Sequence, residues 1–205
     1  MNLNLFLTMK HWQLFLLLMG IPMALQMAAI PIVLDNSGGL EIVLQAMPYV
    51  IILVAGFFFA WVHTLGAALH AKLPESAPMS LLTFRLMLAI PATLVLTIAV
   101  LAWLVFTDHT EVFRGMDDAF VSAFLILYFM SLFATLYVLY FISKSLVSVE
   151  EQAPVTFKRY AGAFFALWFF PLGIWFFQPR VNAIFDESSN PDDGLSRYDN
   201  IIDTF

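Results

Sequence analysis

Two histidines in one apolar run offer the first candidate chemistry. His63 and His70 share a helical face with Gly56, Ala60 and Ala67, which fall at i, i+4, i+7, i+11 and i+14 from Gly56. At 3.6 residues per turn these five positions occupy a strip about 80° wide. Small residues on such a face let helix backbones approach closely. An imidazole in hydrocarbon is costly unless paired, so His63 is expected to face protein. The strip reads as a packing face with His63 hydrogen-bonded to a neighbouring helix, or as a proton relay, a haem or quinone contact, or a metal site. Haem requires an axial ligand and usually a second from another helix. His11 lies near the same membrane side as His70, whereas His109 falls in a loop on the other side. No metal site and no cofactor is predicted on this pattern. Haem or quinone are the groups that His63, His70 and His11 could contact.

Three further patterns are weaker. Tyr128, Ser131 and Thr135 share a face at i, i+3 and i+7, and their hydroxyls can join helices or line a polar path. Met19, Met23 and Met27 recur at i, i+4 and i+8 beside Gly20, Pro22 and Gln26. Thioethers can bind Cu(I), but flexible Met more often fills gaps in a core. Gln26 is the one amide past the first turn of its run and is expected to bond another helix. Glu150 and Glu151 could pair with Lys158 and Arg159 across a loop, but a solvated loop is the preferred reading. The chain has no cysteine, which excludes disulfides and thiolate chemistry. It has no His-Glu-x-x-His, Gly-x-Ser-x-Gly or phosphate-loop signature, so no catalytic residue is predicted. No Asp or Glu lies inside an apolar run, which counts against an ion-coupled transporter.

The elements that must position these residues are membrane helices. Of the 205 residues, 61% are hydrophobic and 12% charged, with a mean hydropathy of +0.87. Soluble domains run about 45–50% apolar and about 25% charged, so an ordinary soluble domain is excluded. Five apolar runs, 12–34, 45–67, 86–106, 119–142 and 161–177, are long enough to cross, the last barely. They lack the alternation of barrel strands. The expected fold is an all-α polytopic bundle of about five transmembrane helices over residues 1–185. The first run exceeds the apolar core of a signal peptide, so it is expected to be retained. Pro22, Pro31, Pro48, Pro91 and Pro171 mark kinks. The runs show no internal repeat.

Basic residues set the expected orientation. Lys10, Lys72, Arg85, Lys144, Lys158 and Arg159 fall on one side of a five-span chain; Arg114, Arg180 and Arg197 fall on the other. This places the N-terminus in and the C-terminus out, in the bacterial cytoplasmic (inner) membrane. Arg180 sits badly there, at the outer end of the shortest run; were that run re-entrant, the tail would lie inside. The tail, residues 186–205, carries six acids and one arginine and is expected to be a flexible acidic end, or to order on a partner.

The fifth run has a signature of its own. It reads Trp168-Phe169-Phe170-Pro171-Leu172-Gly173-Ile174-Trp175, then Gln178-Pro179-Arg180-Val181-Asn182. This resembles the ending of a family of bacterial multi-pass membrane proteins, of Bacteroidota type, with the pattern Trp-Phe-Phe-Pro-x-Gly-x-Trp and Gln-Pro-Arg-x-Asn. Members also carry a Lys-Leu-Pro-Glu loop, matched by Lys72-Leu73-Pro74-Glu75. The resemblance covers residues 60–90 and 135–185 and leaves out the tail. It implies a host group and a membrane fold but no mechanism, because the family has no established activity. Read physically, Trp175 is expected near the outer headgroups. Gln178 and Arg180 can bond carbonyls freed at a helix end, or lipid phosphates.

Two functions follow as expectations. The first is a non-enzymatic integral membrane subunit or scaffold of a larger envelope complex, contacting lipid and other membrane subunits, or its own copies. Its contact candidates are Gly56, Ala60, His63, Trp168, Pro171, Gly173, Trp175, Gln178 and Arg180. The second is a small oligomeric transporter or channel using the His63/His70 face. Nine scattered basic residues in an acidic chain exclude nucleic acid as a partner.

Overall fold

The computed structural model describes residues 5–35, 38–107, 111, 117–171 and 173–185. Its helices are α1 (Leu5–Thr8), α2 (His11–Phe15), a π-helical turn (Leu16–Gly20), α3 (Ile21–Asp35), α4 (Gly39–Ala71), α5 (Leu81–Phe106), α6 (Asp118–Glu151), α7 (Phe157–Trp168) and α8 (Gly173–Phe185). There is no strand among the described residues. Four stretches are long and apolar enough to cross a membrane: His11–Leu34, Gly39–Ala71, Leu81–Phe106 and Asp118–Glu151. They contain the first four expected runs. α4 and α6 extend beyond those runs at both ends. The Asp117 carboxylate caps α6 by accepting from Phe120 N at 3.0 Å, and Ser80 Oγ caps α5 by accepting from Thr83 N at 3.2 Å. Past Ile142, α6 continues through Ser143, Ser145 and Ser148, all three fully buried. Small hydroxyl side chains there let other helices pack close, which hydropathy alone does not register.

The fifth expected run is not a single membrane-length helix. α7 stops at Trp168 and α8 starts at Gly173, with Phe169–Pro171 in the turn between them. At 1.5 Å per residue the two helices reach about 18 and 20 Å, short of a hydrocarbon core of about 30 Å. Two residues cause the break. Pro171 has no N–H to extend α7. Gly173 lies so close to α7 that a Cβ would stand 1.5 Å from the Ala166 carbonyl oxygen. The chain therefore doubles back as a helical hairpin. Phe170, in its turn, packs edge-on against Phe58 at 5.1 Å and tilted against Trp61 at 5.7 Å, in α4.

The hairpin sets where α8 ends. α8 ends beside the C-terminal ends of α4 and α6: Lys72 Nζ donates to Ile184 O at 2.8 Å, and Arg180 Nε donates to Glu150 Oε1 at 2.8 Å. The described chain thus starts and finishes at one end of the bundle. Lys10, Lys72, Arg85, Lys144, Lys158, Arg159 and Arg180 all belong to this basic end, so Arg180 is no longer misplaced. The acidic tail, residues 186–205, lies outside the described residues.

The core sits toward the same end. Leu14, Leu65, Leu69, Phe84, Phe141, Leu146, Ile174 and Phe177 are all buried. The far half of the bundle is looser, and α3 buries no residue at all.

In the histidine-bearing half of α4 the glycine that allows close packing is Gly66, not Gly56. A Cβ on Gly66 would lie 2.3 Å from Phe84 Cζ, whereas one on Gly56 meets nothing within 4 Å. Phe84 cannot easily yield, because its buried ring stacks on Phe141 at 4.5 Å. Gly66→Ala is therefore expected to cost about 1–3 kcal/mol through overpacking. Gly56→Ala should be neutral or stabilising, since alanine is the better helix former. Thermal melts of the two variants in one detergent check the contrast.

Candidate functional site

The polar side chains of the described chain converge at the basic end. Between α1 and α2 the helix is interrupted at Met9–Lys10, which frees backbone carbonyls. Gln178, fully buried on α8, donates through Nε2 to Phe6 O at 2.9 Å and Met9 O at 3.1 Å. Asn182, one turn on, donates through Nδ2 to the same Met9 oxygen at 3.0 Å. Its Oδ1 also accepts from Gln178 Nε2 at 3.1 Å. The 178–182 spacing is one helical turn, so both amides face the interruption together. Lys10 N closes the other side by donating to Gln13 Oε1 at 2.9 Å.

Arg180 takes the other side of α8. Its guanidinium grips the Glu150 carboxylate with two hydrogen bonds, Nε to Oε1 and Nη2 to Oε2. The pair is mostly buried, with side-chain exposures of 28% and 12%. A planar fork matches a carboxylate in a way a lysine cannot. Glu151, the neighbour, pairs with Arg159 at 2.8 Å across the α6–α7 turn, and that pair is more exposed. The expected pairing of both acids with Lys158 and Arg159 thus holds for one acid and one base only. Lys72 completes the end, donating to Ile184 O and lying 4.6 Å from the Phe185 ring. Lys72 of the Lys-Leu-Pro-Glu loop thus reaches the end of α8, just past the Gln-Pro-Arg-x-Asn segment.

The histidines do not form one site. His70 shares a 2.8 Å hydrogen bond between Nε2 and Met79 O and stacks on Phe141 at 6.4 Å. His11 packs on Trp175 at 4.6 Å. His63 is half-buried on α4. No group of three or more His, Asp or Glu that could hold a metal occurs among the described residues. Trp175, 45% exposed, lies with His11 and Phe15 near the start of α2, not at the opposite surface. Trp168 and Pro171 are exposed around the hairpin turn, and Gly173 is buried in it. Of the small-residue strip, Gly56 is exposed, and Ala60 lends its carbonyl to Thr64 Oγ1 at 2.7 Å.

The hydroxyl strip also separates. Ser131 is buried and reaches Ile90 O at 3.5 Å, whereas Tyr128 and Thr135 are exposed. Met23 and Met27 are 59% and 66% exposed, so they do not face inward as a thioether set.

A large cavity lies elsewhere. It is an apolar groove of about 870 Å³ between the first span and α4, with Val95 of α5 and Phe170 of the hairpin at its walls. Fold and site together define a class: a helical protein with four membrane-length helices and a docked helical hairpin. No protein-family model, curated protein or solved structure matches the chain.

Proposed function

We propose that the protein is a non-enzymatic integral membrane subunit or scaffold of a larger bacterial envelope complex. The observation that supports this reading best is the use made of the polar motif residues. Gln178, Asn182, Arg180, Lys72 and His70 all tie helix ends to one another. Such an end is a rigid platform. The far half of α6 offers a partner surface, with Phe129, Leu132 and Phe133 exposed on it.

The reading places the protein in the cytoplasmic membrane with its basic end inside. All seven lysines and arginines among the described residues then lie on the cytoplasmic side, in keeping with the charge rule. Leu5 and Phe185 would then both lie on the inner side. The alternative, a small oligomeric transporter, keeps one supporting observation: His63 is half-buried with no hydrogen bond to the described protein.

Purification from native membranes in mild detergent tests the proposal. A larger membrane partner should co-purify in fixed stoichiometry and be lost when Leu132 and Phe133 are both replaced by tryptophan. A protein that always purifies alone or only as its own oligomer would contradict it. Flux measurements on His63→Ala would then address the alternative.

A further inference from the structure

We propose that the apolar groove is a binding site for one acyl chain of a phospholipid with an amine-bearing headgroup, taken from the leaflet opposite the basic end. The groove runs along the first span from Leu18 to Ile32, about 21 Å at helical rise. Its inner end is floored by Phe58 and Phe170, where the hairpin turns. Phe170 lies in the turn just past the 12-residue helix α7, which is about 18 Å long, a little over half of a core about 30 Å thick. Its outer end closes where α3 and α4 cross so tightly that a Cβ on Gly39 would lie 1.9 Å from Ile32 O. The groove therefore runs outward from the hairpin turn, and its length of about 21 Å exceeds a leaflet of about 15 Å by enough to take one acyl chain together with its glycerol ester.

The polarity of the lining sets the ligand chemistry. Gln26 is the only amide among otherwise apolar lining residues, and it makes no hydrogen bond among the described residues. It stands eight residues above Leu18, about 12 Å from the floor. That is the depth of a glycerol ester in a leaflet about 15 Å thick. An amide in hydrocarbon needs a partner, and an ester carbonyl at this depth supplies an acceptor for Gln26 Nε2.

The backbone is shaped for this opening. The π-helical turn at Leu16–Gly20 and Pro22 interrupt the regular helix beside the inner half of the groove. At the end of the bundle away from the basic end the described charged residues are all acidic: Glu41, Glu111, Asp117 and Asp118. Glu41 directly precedes the lining residue Ile42. This end disfavours anionic headgroups and suits an ammonium.

The inference rests on the membrane reading but not on the subunit reading, and lipid retention is measured apart from partner capture. The purified protein is exchanged into detergent with equimolar phosphatidylethanolamine and phosphatidylglycerol and weighed by native mass spectrometry. One phosphatidylethanolamine should remain bound. Gln26→Leu, which keeps the groove, should weaken retention about fivefold, the worth of one hydrogen bond. Ala46→Trp, which fills the groove from an exposed position, should abolish retention while leaving the melting temperature unchanged. The proposal is overturned by no retained lipid, by equal retention of phosphatidylglycerol, by undiminished retention in Ala46→Trp, or by a second copy of the chain in place of the lipid.

Discussion

Gly173→Ala is expected to detach the α7–α8 hairpin. The added Cβ would sit 1.5 Å from the Ala166 oxygen and 2.4 Å from its carbonyl carbon. Both atoms are backbone, so no rotamer change relieves the clash. The two helices must part, and α8 carries Gln178, Arg180 and Asn182 away with it. The cost is expected to reach about 4 kcal/mol or more, in the range reserved for disrupted packing with loss of a buried network. For a chain of this size that is about a 10 °C fall in melting temperature. Gly162→Ala, earlier in α7, is the control, because a Cβ there meets nothing within 4 Å. It should melt at the wild-type temperature or slightly above.

Arg180→Ala is expected to have the next largest effect. It leaves the Glu150 carboxylate, whose side chain is 12% exposed, without its counter-ion. Breaking a fully buried pair costs about 3–5 kcal/mol. Arg180 is 28% exposed, so solvent screens part of this, and about 2–3 kcal/mol is expected. Arg180→Lys should recover only a fraction, because an ammonium cannot make both bonds of the fork. The double variant Arg180→Ala, Glu150→Ala should be more stable than the two single losses added together, since the stranded charge is gone. Equal, additive losses would show that the pair does not hold α8 to α6.

Much of the architecture was legible from residue types. Four spans follow from continuous apolar runs, because a membrane-length helix needs little beyond length and hydropathy. The fifth run met the same criteria and failed, because hydropathy sums composition and is blind to a steric stop. The Pro171 and Gly173 pair carried that signal, and Arg180 carried a second one. A basic residue on the side opposed by the charge rule was the sign of a chain that turns back.

The site was less legible. Gln178 and Arg180 stand out in sequence as polar residues beside an aromatic helix, but their partners do not. Glu150 is 30 residues from Arg180, and Met9 is 169 residues from Gln178. Only the hairpin brings them together. The histidine strip misled for the opposite reason. Periodicity fixes which residues share a face, not which face is buried. On α4 the buried face holds Trp61, Leu65 and Leu69, beside Gly66. The groove had no sequence signal other than Gln26, whose amide fits no lipid-facing helix.

The return of the chain to its starting side carries the whole account, and the absence of native cysteine makes it directly measurable. Single cysteines are placed at Glu75, Glu111 and Phe185, and sealed vesicles of each orientation are treated with a membrane-impermeant maleimide. The account predicts that positions 75 and 185 label from one side and position 111 from the other. Labelling of position 185 from the side of position 111 would mean that the fifth run crosses, and the hairpin, its clamp and the groove floor would fall together.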